Sequence, residues 1–114
     1  MLFISMTSSV AAQEISASNT SIYQGKGKWK WTVFIQGPES ILERIQVVEY
    51  TLHPTFSNPV VEVSKGGSDP HAWALTRIGW GTFQLSIRVF LQNGRVQELT
   101  HYLKFWDERD FKGD

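Results

Sequence analysis

The sequence predicts an all-β domain, an immunoglobulin-like antiparallel β-sandwich of about seven to eight strands. Three observations predict it. Apolar and polar residues alternate through most of the chain, the period of a half-buried strand. Gly, Pro and Asn punctuation separates these segments at short intervals. No segment of useful length carries helical periodicity, and Glu39–Glu43 has room for a single turn.

Each element follows in order. Glu14 to Tyr23 is the first strand, turning over Gln24–Gly27 into the second. There Trp29, Trp31, Val33 and Ile35 share one face, and Lys28, Lys30, Thr32 and Gln36 share the other, with Phe34 the exception. Gly37-Pro38 ends that strand. Ile45 to Leu52 is apolar on both faces, as in a strand that is covered on both sides or central in its sheet, and His53-Pro54 stops it. Between Thr55 and Pro70 the composition shifts to loop residues, with room for a short edge strand at Val60–Val63. Trp73 to Ile78 is a further strand, Gly79-Trp80-Gly81 a bend, and Phe83 to Leu91 alternates again. Asn93-Gly94 predicts a two-residue hairpin, because both residues tolerate positive φ. Val96 to Trp106 supplies the returning strand. The expected boundaries are a tail over residues 1–12, the sandwich over 13–107 and a charged tail over 108–114.

Composition narrows the function. A chain of 114 residues fits one domain and buries a core unaided, so the absence of Cys costs no stability. That absence also removes disulfide scaffolds, Cys-ligated zinc and thiol nucleophiles. Lys plus Arg and Asp plus Glu are 11 each, so the basic excess of a nucleic-acid binder is missing. Met1–Ile4 is too short for the apolar core of a secretory signal, no Lys or Arg precedes Lys26, and nothing approaches a membrane span. The expectation is a cytoplasmic protein that contacts neither membrane nor nucleic acid and is monomeric by default. Aromatic residues make up 13%, including five Trp and seven Phe, which argues against disorder and asks whether all of them are core.

Enzyme signatures are missing. The sequence has no Gly-x-Ser-x-Gly elbow, phosphate loop or dinucleotide fingerprint, and its three histidines lack metal-ligand spacing. Asp69-Pro70-His71 reads as a polar loop, and Gly25-Lys26-Gly27-Lys28 as a turn. The expectation is no enzyme, no metal and no cofactor.

Two aromatic segments are poorly explained by packing alone. Phe56 follows a strand end and precedes Ser57-Asn58-Pro59. Trp80 lies between two glycines, which allow close approach to the main chain. Each has a plainer reading. Phe56 could plug one end of the sandwich, and Trp80 could pack on the loop Val63–Ser68. Trp29, Trp31, Tyr50, Phe83, Phe90 and Trp106 read as core or sheet-face residues.

At these segments the sequence resembles the YEATS domain family. The resemblance is carried by Trp31-Thr32-Val33-Phe34-Ile35, by Ile45 through Tyr50-Thr51-Leu52-His53-Pro54-Thr55-Phe56, by Gly79-Trp80-Gly81-Thr82-Phe83 and by Leu103-Lys104-Phe105. It spans roughly residues 14 to 106, and Asn19-Thr20-Ser21 with Trp29-Lys30-Trp31 resembles the prokaryotic branch. It implies a non-catalytic reader of acylated lysine. Phe56 and Trp80 would clamp an acetyl or crotonyl amide, Thr55 would hydrogen-bond that amide, and His53 would stand at the pocket histidine. A backbone N–H around Trp80 and Gly81 would receive the acyl oxygen, and Gly79 and Thr82 complete the implied binding residues. The implied partner is an acylated-lysine protein or peptide. Two departures stand out. A further pocket aromatic of the family falls here on Gly27, with Tyr23 or Trp29 as replacements, and the acid near the last strand is replaced by Thr100-His101-Tyr102. The alternatives are an adaptor or a small-ligand sensor without acyl preference.

Overall fold

A computed structural model describes residues 14–67 and 71–106, so both expected tails lie outside the described residues, as does most of the Asp69-Pro70-His71 loop. The strands are β1 (Ser16–Gly25), β2 (Lys28–Gln36), β3 (Ile45–Thr51), β4 (Val60–Val63), β5 (Ala72–Gly79), β6 (Gln84–Leu91) and β7 (Val96–Tyr102). A single helical turn, α1 (Glu39–Leu42), stands between β2 and β3. β1-β2-β5 form one sheet and β4-β3-β6-β7 the other, all neighbours antiparallel. This is the expected sandwich, with β3 central in its sheet and β4 the edge strand.

The alternation places the core. From β2, Trp31, Val33 and Ile35 are fully buried, and they meet Val48 and Tyr50 of β3 and Leu85, Ile87 and Val89 of β6. The Tyr50 hydroxyl donates to the Trp73 carbonyl at 2.6 Å, and burial pushes its phenol far above the usual range. Trp73 itself is a β-bulge. The β2–β5 register shifts between Val33 and Ile35, and Trp73 has φ 56. Left-handed backbone is costly for a bulky residue and persists only where neighbours over-determine it. Here the Trp73 N–H donates to the Gly66 carbonyl and the indole N–H to Leu42 O at 3.4 Å. A Cβ on Gly66 would come 3.1 Å from the indole ring, so that position is held to glycine by packing.

Three expectations change. Between β6 and β7, Gly94 N–H donates to Leu91 O at 3.0 Å and Leu91 N–H to Arg95 O at 2.8 Å. Only Gly94 of the pair has positive φ, at 91. The connection is therefore a turn followed by a glycine bulge rather than a two-residue hairpin, with Asn93 Oδ1 capping Arg95 N–H at 2.9 Å. The two-residue turn with both residues left-handed occurs instead at Lys26-Gly27, with φ 57 and 79. The last strand stops at Tyr102, so Trp106 lies beyond it and is 42% exposed rather than core or on a sheet face.

Asn19 clasps the sandwich along the β1 and β7 edges. It is 3% exposed, the single buried polar residue among the described ones. Its Nδ2 donates to Lys104 O at 2.8 Å, and its Oδ1 accepts from Lys104 N–H at 3.1 Å and His101 Nε2 at 2.7 Å. Asn19→Ala strands these partners and is expected to cost about 2–3 kcal/mol, read by urea unfolding.

His101 gives the fold a pH limb. Burial, then the neighbouring Lys104 charge, lowers its pKa from the ordinary 6.5. The unfolded chain therefore holds the proton more tightly, and stability falls as pH drops from about 6.5 toward the lowered folded value, levelling below it. Urea midpoints measured across that window should fall, and His101→Gln should flatten the limb.

Candidate binding site

Two loops at one end of the sandwich build a cleft. The first joins β3 to β4. Phe56 N–H donates to His53 O at 3.0 Å, closing a turn in which Pro54 supplies the fixed φ of the second position. The second loop joins β5 to β6 and follows Gly79, the last residue of β5. Together they enclose about 620 Å³, lined by His53, Thr55, Phe56, Gly79, Trp80, Gly81 and Thr82, with Ser57, Ile78 and Phe83. All seven residues singled out from sequence are brought together. Ile78, Ser57 and Phe83 were not singled out. The alternation of β5 turns Ile78 outward with Thr76, and that signal could have found it.

The floor is aromatic and tied to the core. Phe56 packs on Trp31 at 6.3 Å between centroids and 87° between planes, and on Phe83 at 5.8 Å. Phe83 also meets Trp31 at 5.9 Å and His53 at 5.8 Å. Phe56 is therefore both a plug, through its core contacts, and a wall of the cleft. The Trp31 indole N–H is the one buried side-chain polar atom without a partner among the described residues. It sits behind Gly79, where an added Cβ would lie 3.9 Å from that nitrogen and 3.6 Å from Phe56 Cζ. Glycine there keeps the cleft open down to the aromatic floor.

Trp80 is different in kind. It is 70% exposed, and its ring lies under the Lys28 ammonium, 5.4 Å from the centroid. It flanks Gly27, where an added Cβ would stand 3.7 Å from Trp80 Cδ1. Its ring contact thus comes from β2 and the β1–β2 turn. Phe56 is paired with core rings and Trp80 with a cation, and the two are not paired with each other.

The polar groups are set by local geometry. Thr55 N–H donates to His53 Nδ1 at 3.3 Å, which makes that nitrogen the lone-pair side of the imidazole. The Thr55 hydroxyl lies 3.0 Å from the same nitrogen and, with that nitrogen as acceptor, donates to it. Thr82 Oγ1 lies 3.2 Å from the Tyr102 hydroxyl, which braces the second loop on β7. Among the described residues, the N–H groups of Trp80 and Gly81 lie outside the strands and take no part in the loop hydrogen bonds. Among the described residues no cluster of three metal-ligating side chains occurs, and no helix is long and apolar enough to cross a membrane.

An immunoglobulin-like sandwich with an aromatic cleft between two end loops has the form of a binding module. A model of the prokaryotic YEATS domain matches residues 29–104, and the chain belongs to that family. AF-9 homologs from Eremothecium gossypii and Saccharomyces cerevisiae are each 34% identical over 79 residues, covering 65% of this chain and 36% and 33% of theirs. A transcription initiation factor TFIID subunit 14 from Schizosaccharomyces pombe is 32% identical over 74 residues, covering 64% of this chain and 29% of its own. The chain thus spans about a third of the length of these relatives. Among solved structures, the yeast AF-9 homolog Yaf9 superposes with a TM-score of 0.66 at 30% identity, over 82% of this chain and 67% of that one. A Yaf9 YEATS domain recognising an H3K122suc peptide gives 0.65 at 32% identity, over 82% and 72%.

The different anchoring of the aromatics is testable. Trp80→Ala is expected to change unfolding free energy by less than about 0.5 kcal/mol, as at an exposed site. Trp31→Ala is expected to cost about 3–5 kcal/mol, both read by denaturant unfolding.

Proposed function

We propose that this domain is a non-catalytic reader of acylated lysine, taking an acetyl- or crotonyl-type amide between Phe56 and Trp80. The observation that carries the proposal is the convergence of both rings, Thr55 and the glycine-flanked loop on one cleft. The family membership supports it, as does the likeness to a Yaf9 YEATS domain that recognises H3K122suc.

The chemistry follows from what the cleft offers and lacks. Acylation removes the lysine charge, so the side chain enters an apolar slot without the cost of burying an ammonium. A flat amide gains about 0.5–1.5 kcal/mol from ring stacking beyond its area burial. Its N–H needs an acceptor, and the Thr55 oxygen has one to give because its own proton is engaged by His53. Its carbonyl needs a donor, and the N–H groups of Trp80 and Gly81 fill that role. Unmodified lysine would find no carboxylate among the lining residues.

Titration of the domain with acetyl- and crotonyl-lysine peptides, followed by Trp fluorescence and NMR shifts, is expected to show weak saturable binding centred on Trp80. Weakness follows from the small footprint after association costs. Thr55→Val keeps the shape and removes the acceptor, so it should weaken binding about five- to tenfold. Binding by Trp80→Ala equal to wild type, or no response to any acylated peptide up to millimolar concentration, sinks the proposal.

A further inference from the structure

The zero net charge of the chain conceals a separated charge pattern around the cleft. Neither β1, β2 nor β5 contains an Asp or Glu, and neither do the two cleft loops, residues 52–59 and 80–83. Lys26 in the β1–β2 turn and Lys28 and Lys30 on β2 are all exposed. Lys28 covers Trp80. Lys30 is the direct register partner of Ile22 on β1 and of Ile78 on β5. Directly opposed residues share a sheet face. Ile22 and Ile78 are 61% and 53% exposed, and Ile78 also lines the cleft. The outer face of β1-β2-β5 therefore continues the cleft as an apolar row centred on a lysine, with two more lysines beside it. The strand carboxylates lie on the other sheet, where Glu49 and Glu98 each face Arg88 at 3.8 Å and 4.0 Å and Glu62 stands on the edge strand β4.

We infer that this face docks an acidic protein segment whose acylated lysine enters the cleft. The inference rests on the acyl-lysine reading of the cleft and adds the chemistry of the flanks. Carboxylates one to a few residues from the acylated lysine would meet Lys26, Lys28 and Lys30, while an apolar side chain covers Ile22 and Ile78. A basic segment would set its cations against three lysines with no compensating acid among the described residues of β1, β2 and β5, a repulsion that selects against it.

The test is a peptide series read by Trp fluorescence and NMR. A central acetyl- or crotonyl-lysine is flanked by Asp and Glu, by Ser and Gly, or by Lys and Arg, and an acidic peptide without acylation completes the set. The acidic acylated peptide is expected to bind about tenfold more tightly than the neutral one, which in turn exceeds the basic one. Raising the salt from about 0.05 to 0.5 M should close the gap. Lys30→Glu, and separately Lys28→Glu, should collapse or reverse the ranking. Equal affinity across the three flanks overturns the inference and leaves the acyl-lysine reading standing. Acidic peptides binding equally with and without acylation uphold the docking face and overturn that reading. No response to any peptide overturns both.

Discussion

The site depends on the burial of Trp31. This side chain is fully enclosed between the sheets and touches both Phe56 and Phe83, one from each cleft loop. Loops on a sandwich are the mobile part of the architecture, and a binding surface needs their side chains held. Edge contacts to a large, immobile ring supply that hold without a disulfide. The cleft floor is consequently an extension of the core. That also explains why Phe56 answers to two descriptions: its packing on Trp31 is what positions it as a wall.

Much of the architecture was legible because strand alternation is a local signal. Trp31, Val33 and Ile35 on one face of β2, the central β3 and the short edge strand at Val60–Val63 all follow from periodicity and punctuation. What escaped was set by contacts distant in sequence. The bulge at Trp73 exists because Gly66, Leu42 and Tyr50 surround that residue, and no propensity at Trp73 announces a positive φ. The Asn93-Gly94 pair has the composition of a tight hairpin, yet only Gly94 adopts left-handed backbone, while Asn93 Oδ1 accepts from Arg95 N–H. The Asn19 clasp joins residues 85 apart in sequence, and nothing around Asn19 points to Lys104.

The candidate site was legible to a similar extent and for a different reason. Its seven residues lie in two short motifs, so their assembly needed only the two loops to share an end of the sandwich. Their partners were not legible. Thr55 and His53 were singled out separately, and their mutual hydrogen bonding comes from the turn geometry around Pro54. Trp80 found its cation on β2, across a strand pairing that the sequence shows only as a polar position at Lys28.

Gly27 brings the charge pattern and the cleft together. The family resemblance sets an aromatic side chain at this position, and the turn explains why none stands there. Lys26 and Gly27 form a two-residue turn with φ 57 and 79, a backbone that glycine adopts freely and an aromatic residue adopts only at a cost. Tyr23 does not refill the gap as a free ring. It packs on Trp29 at 5.0 Å and accepts the Gly27 N–H on its hydroxyl at 3.0 Å, so it supports the turn from behind. The space beside Trp80 is bordered instead by a bare glycine and the Lys28 ammonium. One tight turn thus removes an apolar wall and leaves a cation at the same rim. The proposed two-ring slot would have less stacking surface to offer an acyl amide. The charged rim is where the remaining selectivity can be generated, since attraction between exposed charges chooses among flanking sequences more readily than it adds raw affinity.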